Sequence, residues 1–363
     1  MKALNSLASL PSRLLLGGVA TLGLLACDPS TDPEPTDPPI VTSSVFVVNE
    51  GNFLRSNADI SLFSKASSTV TNKNLFSTAN GRALGDVAQS MAVQDSLGYI
   101  VVNNSNKLEV VSLAKFRSKA TVTGLKLPRY FAAASAAKGY VTETVAYNGS
   151  NGRVSVIDLK TNTVVKTIEV GVQPERLLVA GSRLYVTNSG GNTVTVISTA
   201  TDAVEGTVTV GDSPNSLVQD AGGNVWVLSG GKVYYNADYS TDYTRTTKGS
   251  LSKIVPGQLT ATTREVASNR STPNRLTSNG AKNQLYFTYL GGVYTLGTGD
   301  ATLPATPLIK RSFYGLGVDP QDGTIYGGIG SFTAADKVIR YRSTGVAIDS
   351  FTVGIGPNGF VFY

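Results

Sequence analysis

The chain has 363 residues, 15% of them charged, with a formal net charge of +6 and no histidine. The missing histidine excludes Ser-His-Asp and Cys-His catalysis, histidine zinc sites and imidazole acid–base chemistry. The basic residues are scattered rather than gathered into a stripe, so no nucleic-acid partner is expected.

In chain order, residues 1–26 come first. Lys2 and Arg13 precede a 13-residue apolar and small run, Leu14 to Ala26. That is a charged segment and a short apolar core, below the roughly 20 residues a spanning helix needs. The run ends Leu24-Leu25-Ala26-Cys27, which resembles the lipobox of bacterial lipoproteins. The resemblance implies a signal peptide over 1–26 and a lipid on Cys27, the only cysteine, so no intramolecular disulfide can form. Residues 27–43 contain "DPSTDPEPTDPP", rich in Pro and Asp and without apolar periodicity, and read as a tether. Acids close behind the cysteine (Asp28, Asp32, Glu34, Asp37) resemble a surface-export signal of Gram-negative lipoproteins, which implies an outer-membrane location, at the cell surface or on the periplasmic side.

Residues 44–363 have the composition of an all-β protein, and no stretch carries sustained helical periodicity. A strand ending in a polar residue, "LYVTN" closing at Asn188, recurs. The copies are "VFVVN" at Asn49, "YIVVN" at Asn103, "GYVTE" at Glu143, "VWVLS" at Ser229, "LYFTY" at Tyr289 and "IYGGI" at Ile329. The steps between closing residues are 54, 40, 45, 41, 60 and 40. A turn leading into an apolar strand repeats in phase: "VAQSMAV", "PRYF", "QPERLLV", "SPNSLVQ", "TPNRLTS", "FYGLGVD" and "GPNGFVF". Alternating strands such as "RVSVIDL" and "TVTVIST", and outer strands such as "EGTVTVG", complete the unit. A period near 40–45 without helices predicts a seven-bladed β-propeller of four-stranded antiparallel blades. The first copy starts on a second strand and the last ends on a first strand. The phase therefore predicts that the C-terminal strand pairs with the N-terminal strands and hides both edges of the ring. A ring without free edges is expected to be a monomer.

The unit "LYVTNSGGNTVTVISTATDAVEGTVTVGDSPNSL" resembles a repeat of the YVTN (YncE-like) seven-bladed propeller family. "VFVVNEGNF", "GDVAQSMAV", "VVNNSNKLEVV" and "GLKLPRYF" resemble lipidated surface propellers of Gram-negative bacteria, among them the BtuG-type lipoproteins. That resemblance implies capture of a small molecule, a corrinoid such as cobalamin, and its transfer to a TonB-dependent outer-membrane transporter. The alternatives are a propeller that binds a protein or glycan without a small ligand, and a lactonase-like hydrolase whose metal would be held by Glu50, Asp86, Glu143 and Glu175. No catalytic group, cofactor or metal is expected.

The turns entering the innermost strands are expected to line one mouth of the central channel. There the sequence places Gln89, Arg129, Tyr130, Glu175, Arg176, Asn215, Asn274, Arg275, Tyr314 and Asn358, a mixture of aromatic faces and aimed polar groups suited to a ligand. Asn49, Glu50, Asn52, Phe53, Asn103 and Asn104, at the ends of the second strands, are weaker candidates for the same face. The 60-residue step carries "GKVYYNADYSTDYTRTTKG", either a Tyr and Arg rim (Tyr234, Tyr235, Tyr239, Tyr243, Arg245) or an extended hairpin on a blade edge. Arg55 and Arg82 in the 54-residue step are read as reaching a mouth or as solvated. The G-x-G-x-x-G at Gly354, Gly356 and Gly359 is read as a blade turn, because a strand rather than a phosphate-binding helix follows it.

Overall fold

The computed structural model describes residues 43–363. The expected signal peptide (1–26) and nearly all of the tether, Cys27 included, lie outside the described residues.

Seven antiparallel sheets follow one another as blades. Blade one is built from Ser44–Asn49, Asp59–Ser64 and Thr69–Asn72, and its innermost strand is the C-terminal Pro357–Phe362. The closing register runs Val45↔Phe362, Phe46↔Val361, Val47↔Phe360 and Val48↔Gly359. This is the closure that the phase of the repeat predicts. The innermost strands of blades two to seven are Ala88–Gln94, Pro128–Ser135, Pro174–Ala180, Pro214–Gln219, Asn274–Ser278 and Gly315–Val318. Blade six has three full strands; its fourth position is held by an isolated bridge, Val293↔Ile309.

Burial follows position in the blade. The second strands Ser44–Asn49 and Val225–Ser229 are buried at every residue, because both faces of a blade pack on neighbouring blades. Outer strands such as Ala347–Thr352 are largely exposed. Aromatic side chains fill the wedges between blades. Tyr99 stacks on Phe131 at 4.4 Å, and Phe63 on Phe351 at 4.1 Å. Contacts of this kind contribute about 0.5–1.5 kcal/mol beyond the apolar area they bury.

The repeat's closing residues act as pins. Asn188 donates to Thr193 and Thr195 Oγ1, both at 2.9 Å, and its Oδ1 accepts the Gly171 N–H at 3.1 Å. Asn49 donates to Ser61 Oγ at 2.9 Å. Glu143 plays the same part in blade three, taking Arg153 Nη2 at 2.9 Å and the Ser155 hydroxyl. Asn103 donates to the Pro128 carbonyl of the next blade at 2.9 Å. These side chains are buried and tie strands together.

Two features depart from the sequence reading. A six-residue helix, Leu75–Asn80, follows blade one. It is too short to show a helical period. The Asp59 carboxylate holds its first turn by accepting the Phe76 and Ser77 N–H groups at 2.8 and 3.2 Å, and Gly81 ends it in the left-handed region. The Tyr-rich insertion is not an extended hairpin. It is a loop with one isolated bridge, Tyr235↔Thr241. Arg245 to Asp242 (2.7 Å) and Asn269 to the Tyr243 and Thr246 carbonyls (both 2.8 Å) pin it in place.

Candidate functional site

The mouth is shaped by a backbone turn that recurs around the ring. Val87, Leu127, Gln173, Ser213 and Gly356 each immediately precede an innermost strand, and all have φ between 48° and 65°. The carbonyl of each accepts an N–H from the residue after the neighbouring second strand. These are Asn103 to Val87 (2.8 Å), Thr144 to Leu127 (3.1 Å), Ser189 to Gln173 (2.9 Å), Gly230 to Ser213 (2.8 Å) and Glu50 to Gly356 (2.9 Å). Proline then starts the strand in four of the five, since its missing N–H falls outside the ladder. Left-handed geometry costs a non-glycine residue roughly 1–2 kcal/mol. Repeating it around the ring places the next two or three side chains at the mouth. In blade six the left-handed residue is Arg275 itself, at φ 61°.

Nine of the ten expected residues border one polar cavity of about 250 Å³: Gln89, Arg129, Tyr130, Glu175, Arg176, Asn215, Asn274, Arg275 and Tyr314. Glu50 and Ser189 complete its wall. Both lie one residue beyond a second strand, the position that donates to the left-handed carbonyl; Glu50 is one of the weaker candidates the sequence offers for this face, and Ser189 is not among them. Asn358, the tenth, is 3% exposed and sits below. It donates to Glu50 Oε2 at 3.2 Å, the Ala88 carbonyl at 3.0 Å and the Gln89 carbonyl at 3.2 Å, bridging the closing strand to blade two. A larger space of about 400 Å³ continues down the channel, and Gln89, Tyr130, Arg176 and Arg275 border it too. These four form a collar between the two spaces.

Three interactions organise the wall. Arg129 makes a bidentate pair with Glu175, Nε to Oε2 at 2.8 Å and Nη2 to Oε1 at 2.9 Å, and donates from Nη1 to Gln89 Oε1 at 2.6 Å. Burial by itself would lower the Arg129 pKa. The charge and hydrogen bonds of Glu175 outweigh it and hold the guanidinium above its ordinary range. Across the ring, the Tyr314 hydroxyl donates to Glu50. Burial first, then the Glu50 charge, push that hydroxyl well above the usual tyrosine value, so it remains a donor. Finally, two guanidiniums rest on rings, Arg176 over Tyr130 at 4.4 Å and Arg275 over Tyr314 at 5.1 Å. Such contacts contribute about 0.5–2 kcal/mol and restrict a long side chain to one place.

The carboxylates considered as metal ligands are separately engaged. Glu175 holds Arg129, Glu143 holds Arg153, and Glu50 takes Tyr314 and Asn358. Asp86 accepts the Leu54 N–H at 2.9 Å and Asn104 Nδ2 at 2.5 Å. Among the described residues no three His, Cys, Asp or Glu side chains gather as a metal site. Arg82 turns away from the mouth, pairing with buried Glu109 at 2.6 Å and lying over Phe76. The Tyr-rich loop borders neither space. Tyr235 and Tyr239 stand 59% and 88% exposed.

Solved structures of similar fold share little sequence. A quinonprotein alcohol dehydrogenase-like protein from Bacteroides thetaiotaomicron is 15% identical with a TM-score of 0.65, covering 88% of this chain and 78% of its own. A functionally unknown protein from Desulfotomaculum acetoxidans is 12% identical with a TM-score of 0.64, covering 88% and 98%. Hydrazine synthase of Kuenenia stuttgartiensis is 15% identical with a TM-score of 0.55, covering 73% and 85%. At these identities the likeness establishes the fold alone. No curated protein sequence matches the chain. The family described as "Domain of unknown function (DUF5074)" matches residues 43–352, well over half of the sequence, and the chain belongs to that family.

Proposed function

We propose that this propeller is a ligand-binding protein that captures a small molecule at the mouth bordered by Arg129, Arg176, Arg275 and Tyr314, and that it is a binder rather than an enzyme. The observation that carries this reading is the collar. Guanidiniums fixed on aromatic rings around a small polar cavity are already ordered, so a ligand meets a surface whose side-chain entropy cost is largely spent.

The sequence resemblance to BtuG-type lipoproteins supports a corrinoid as ligand and a TonB-dependent transporter as partner, with a lipid on Cys27 holding the protein at the outer-membrane surface. A cavity of about 250 Å³ admits a side arm of a corrinoid and not its macrocycle. The macrocycle would then rest on the surrounding loops. Exposed Phe53 and Leu54 (66% and 72%) and Tyr147 (64%) follow second strands on the same end of the ring as the mouth, and offer apolar contact there.

The second reading is a protein- or glycan-binding propeller without a small ligand. It is favoured by the pinned loop that holds Tyr235 and Tyr239 out to solvent. Calorimetric titration of the mature protein with cyanocobalamin separates the two. Binding that weakens in Arg176→Ala and Tyr314→Ala supports capture at the mouth. Absence of heat removes the corrinoid, and unchanged affinity in both variants moves the site elsewhere.

A further inference from the structure

The charges around the mouth do not balance locally. Three arginines and two glutamates border the cavity. Arg129 is matched by Glu175 through two hydrogen bonds. The other carboxylate, Glu50, is taken up by hydroxyl and amide donors from Tyr314 and Asn358. Neither the Arg176 nor the Arg275 guanidinium has a carboxylate or hydrogen-bond acceptor among the described residues; each has an aromatic ring beneath it. A guanidinium lying over a ring uses its face and keeps its edge N–H donors free. Each carries five such donors.

These two groups also occupy a particular place. Both border the 250 Å³ cavity and the 400 Å³ channel below it, so their free donors flank the passage between the two. Arg275 is held there by a left-handed backbone at φ 61°, a conformation that a side chain of its size adopts at a cost. Arg176 is set by a strand start, its N–H donating to Thr187 Oγ1 at 3.0 Å and its carbonyl accepting from the same hydroxyl at 3.2 Å. Two ordered cationic forks without a carboxylate or hydrogen-bond acceptor among the described residues, at the neck between the two spaces, form a receptor for planar or tetrahedral oxyanions.

We infer that Arg176 and Arg275 are the anion receptors of this protein, and that its ligand presents a carboxylate or phosphate group to them. The inference rests on the mouth being the capture site and adds the chemical class of the group that enters it. The Glu50 side of the cavity supplies a carboxylate ringed by donors, and so repels a second anionic group placed there. The ligand's remaining polar atoms would face Gln89, Asn215 and Asn274.

The test is calorimetric titration of the mature protein at low ionic strength with two probes, inorganic phosphate and succinate, using wild type, Arg176→Gln and Arg275→Gln. At least one probe is expected to bind the wild type, with affinity falling on added salt. Each Gln variant should weaken it about tenfold or more, the scale of a lost charge-assisted fork. Arg176→Lys should recover only part of the loss, because it keeps the charge without the fork. Which probe binds distinguishes a carboxylate ligand from a phosphate ligand. No binding of either probe, or unchanged affinity in both Gln variants with unaltered thermal melting, overturns the assignment. The same samples titrated with cyanocobalamin separate the two levels of the account. Anion binding without cyanocobalamin binding keeps this inference and removes the corrinoid. Cyanocobalamin binding that neither probe competes, and that survives both Gln variants, keeps capture and overturns the anion receptors.

Discussion

Deletion of Gly356–Tyr363 should abolish folding of the propeller. The segment supplies the innermost strand of blade one, paired along Val45–Asn49. Its backbone bonds contribute about 1 kcal/mol each. Phe360 and Phe362 are half-buried against Tyr326, at 5.7 and 5.3 Å, and Tyr363 lies 6.2 Å from Phe46. Truncating a fully buried Phe costs about 3–5 kcal/mol, and half burial brings that to roughly 2 for each ring. Asn358 adds its bonds to Ala88 and Gln89, and the second strand, buried at all six positions, becomes a bare edge. The sum is on the order of 10 kcal/mol, against a total stability of about 5–15 kcal/mol for a folded domain. Urea denaturation followed by Trp226 fluorescence measures it, because Trp226 is the single tryptophan and is buried in blade five, far from the deletion in sequence. The truncated chain should show no cooperative transition, or associate through its open edge. Phe360→Ala should keep the transition and lower stability by roughly 2 kcal/mol. A truncated protein with a wild-type midpoint and native emission would refute closure as the source of the ring's stability.

Other outcomes follow from the same contacts. Glu175→Gln breaks a bidentate pair whose side chains are 19% and 18% exposed, between the surface and buried limits, and should cost about 2 kcal/mol in urea denaturation. It also leaves Arg129 as a third guanidinium without a carboxylate partner, though still bonded to Gln89, so phosphate or succinate affinity should rise; a fall would contradict the local charge balance. Stability should decline in acid. For Asp220, Asp336 and Glu109, burial alone would raise the pKa, but hydrogen bonds outweigh it and hold each carboxyl below its usual range. Depressed carboxyls contribute stability above their unfolded values near 4, and that contribution is lost as pH falls through the lower folded values. The melting temperature should therefore be flat from neutral pH to about 5 and fall below about 4. Asp220→Asn, which weakens the acceptor of the Trp226 Nε1–H at 2.8 Å, should lower the plateau and flatten the acid limb.

Much of this was legible because a repeat states one set of physical constraints seven times. The strand ending at Asn188 and the turn at Gln173–Pro174 stand next to each other in the blade, Pro174 pairing with Asn188. Corresponding positions of the copies therefore sit at corresponding places around the ring, and the residues after each turn share the mouth. What stayed hidden were departures from the unit. Ser189 is a wall residue because its N–H follows the second strand and reaches the Gln173 carbonyl, a contact that its own residue type does not mark. The buried roles of Asn49, Asn103 and Glu143 are invisible for the same reason, since a polar residue at a strand end reads equally as a turn, a ligand or a pin. The helix at Leu75–Asn80 depends on Asp59, sixteen residues before its first residue. In the Tyr-rich insertion, alternation suggests a strand, yet Asp238 and Asp242 fold their own backbone into turns, accepting the Ser240 and Thr244 N–H groups at 3.0 and 2.9 Å.

The most direct test of the central claim is a structure of the protein with its ligand bound. The ligand is expected at the mouth, with an anionic group between Arg176 on Tyr130 and Arg275 on Tyr314. A ligand seated instead at the opposite end of the ring, in the groove of about 410 Å³ bordered by Arg183, Tyr185, Glu205 and Pro256, would contradict it.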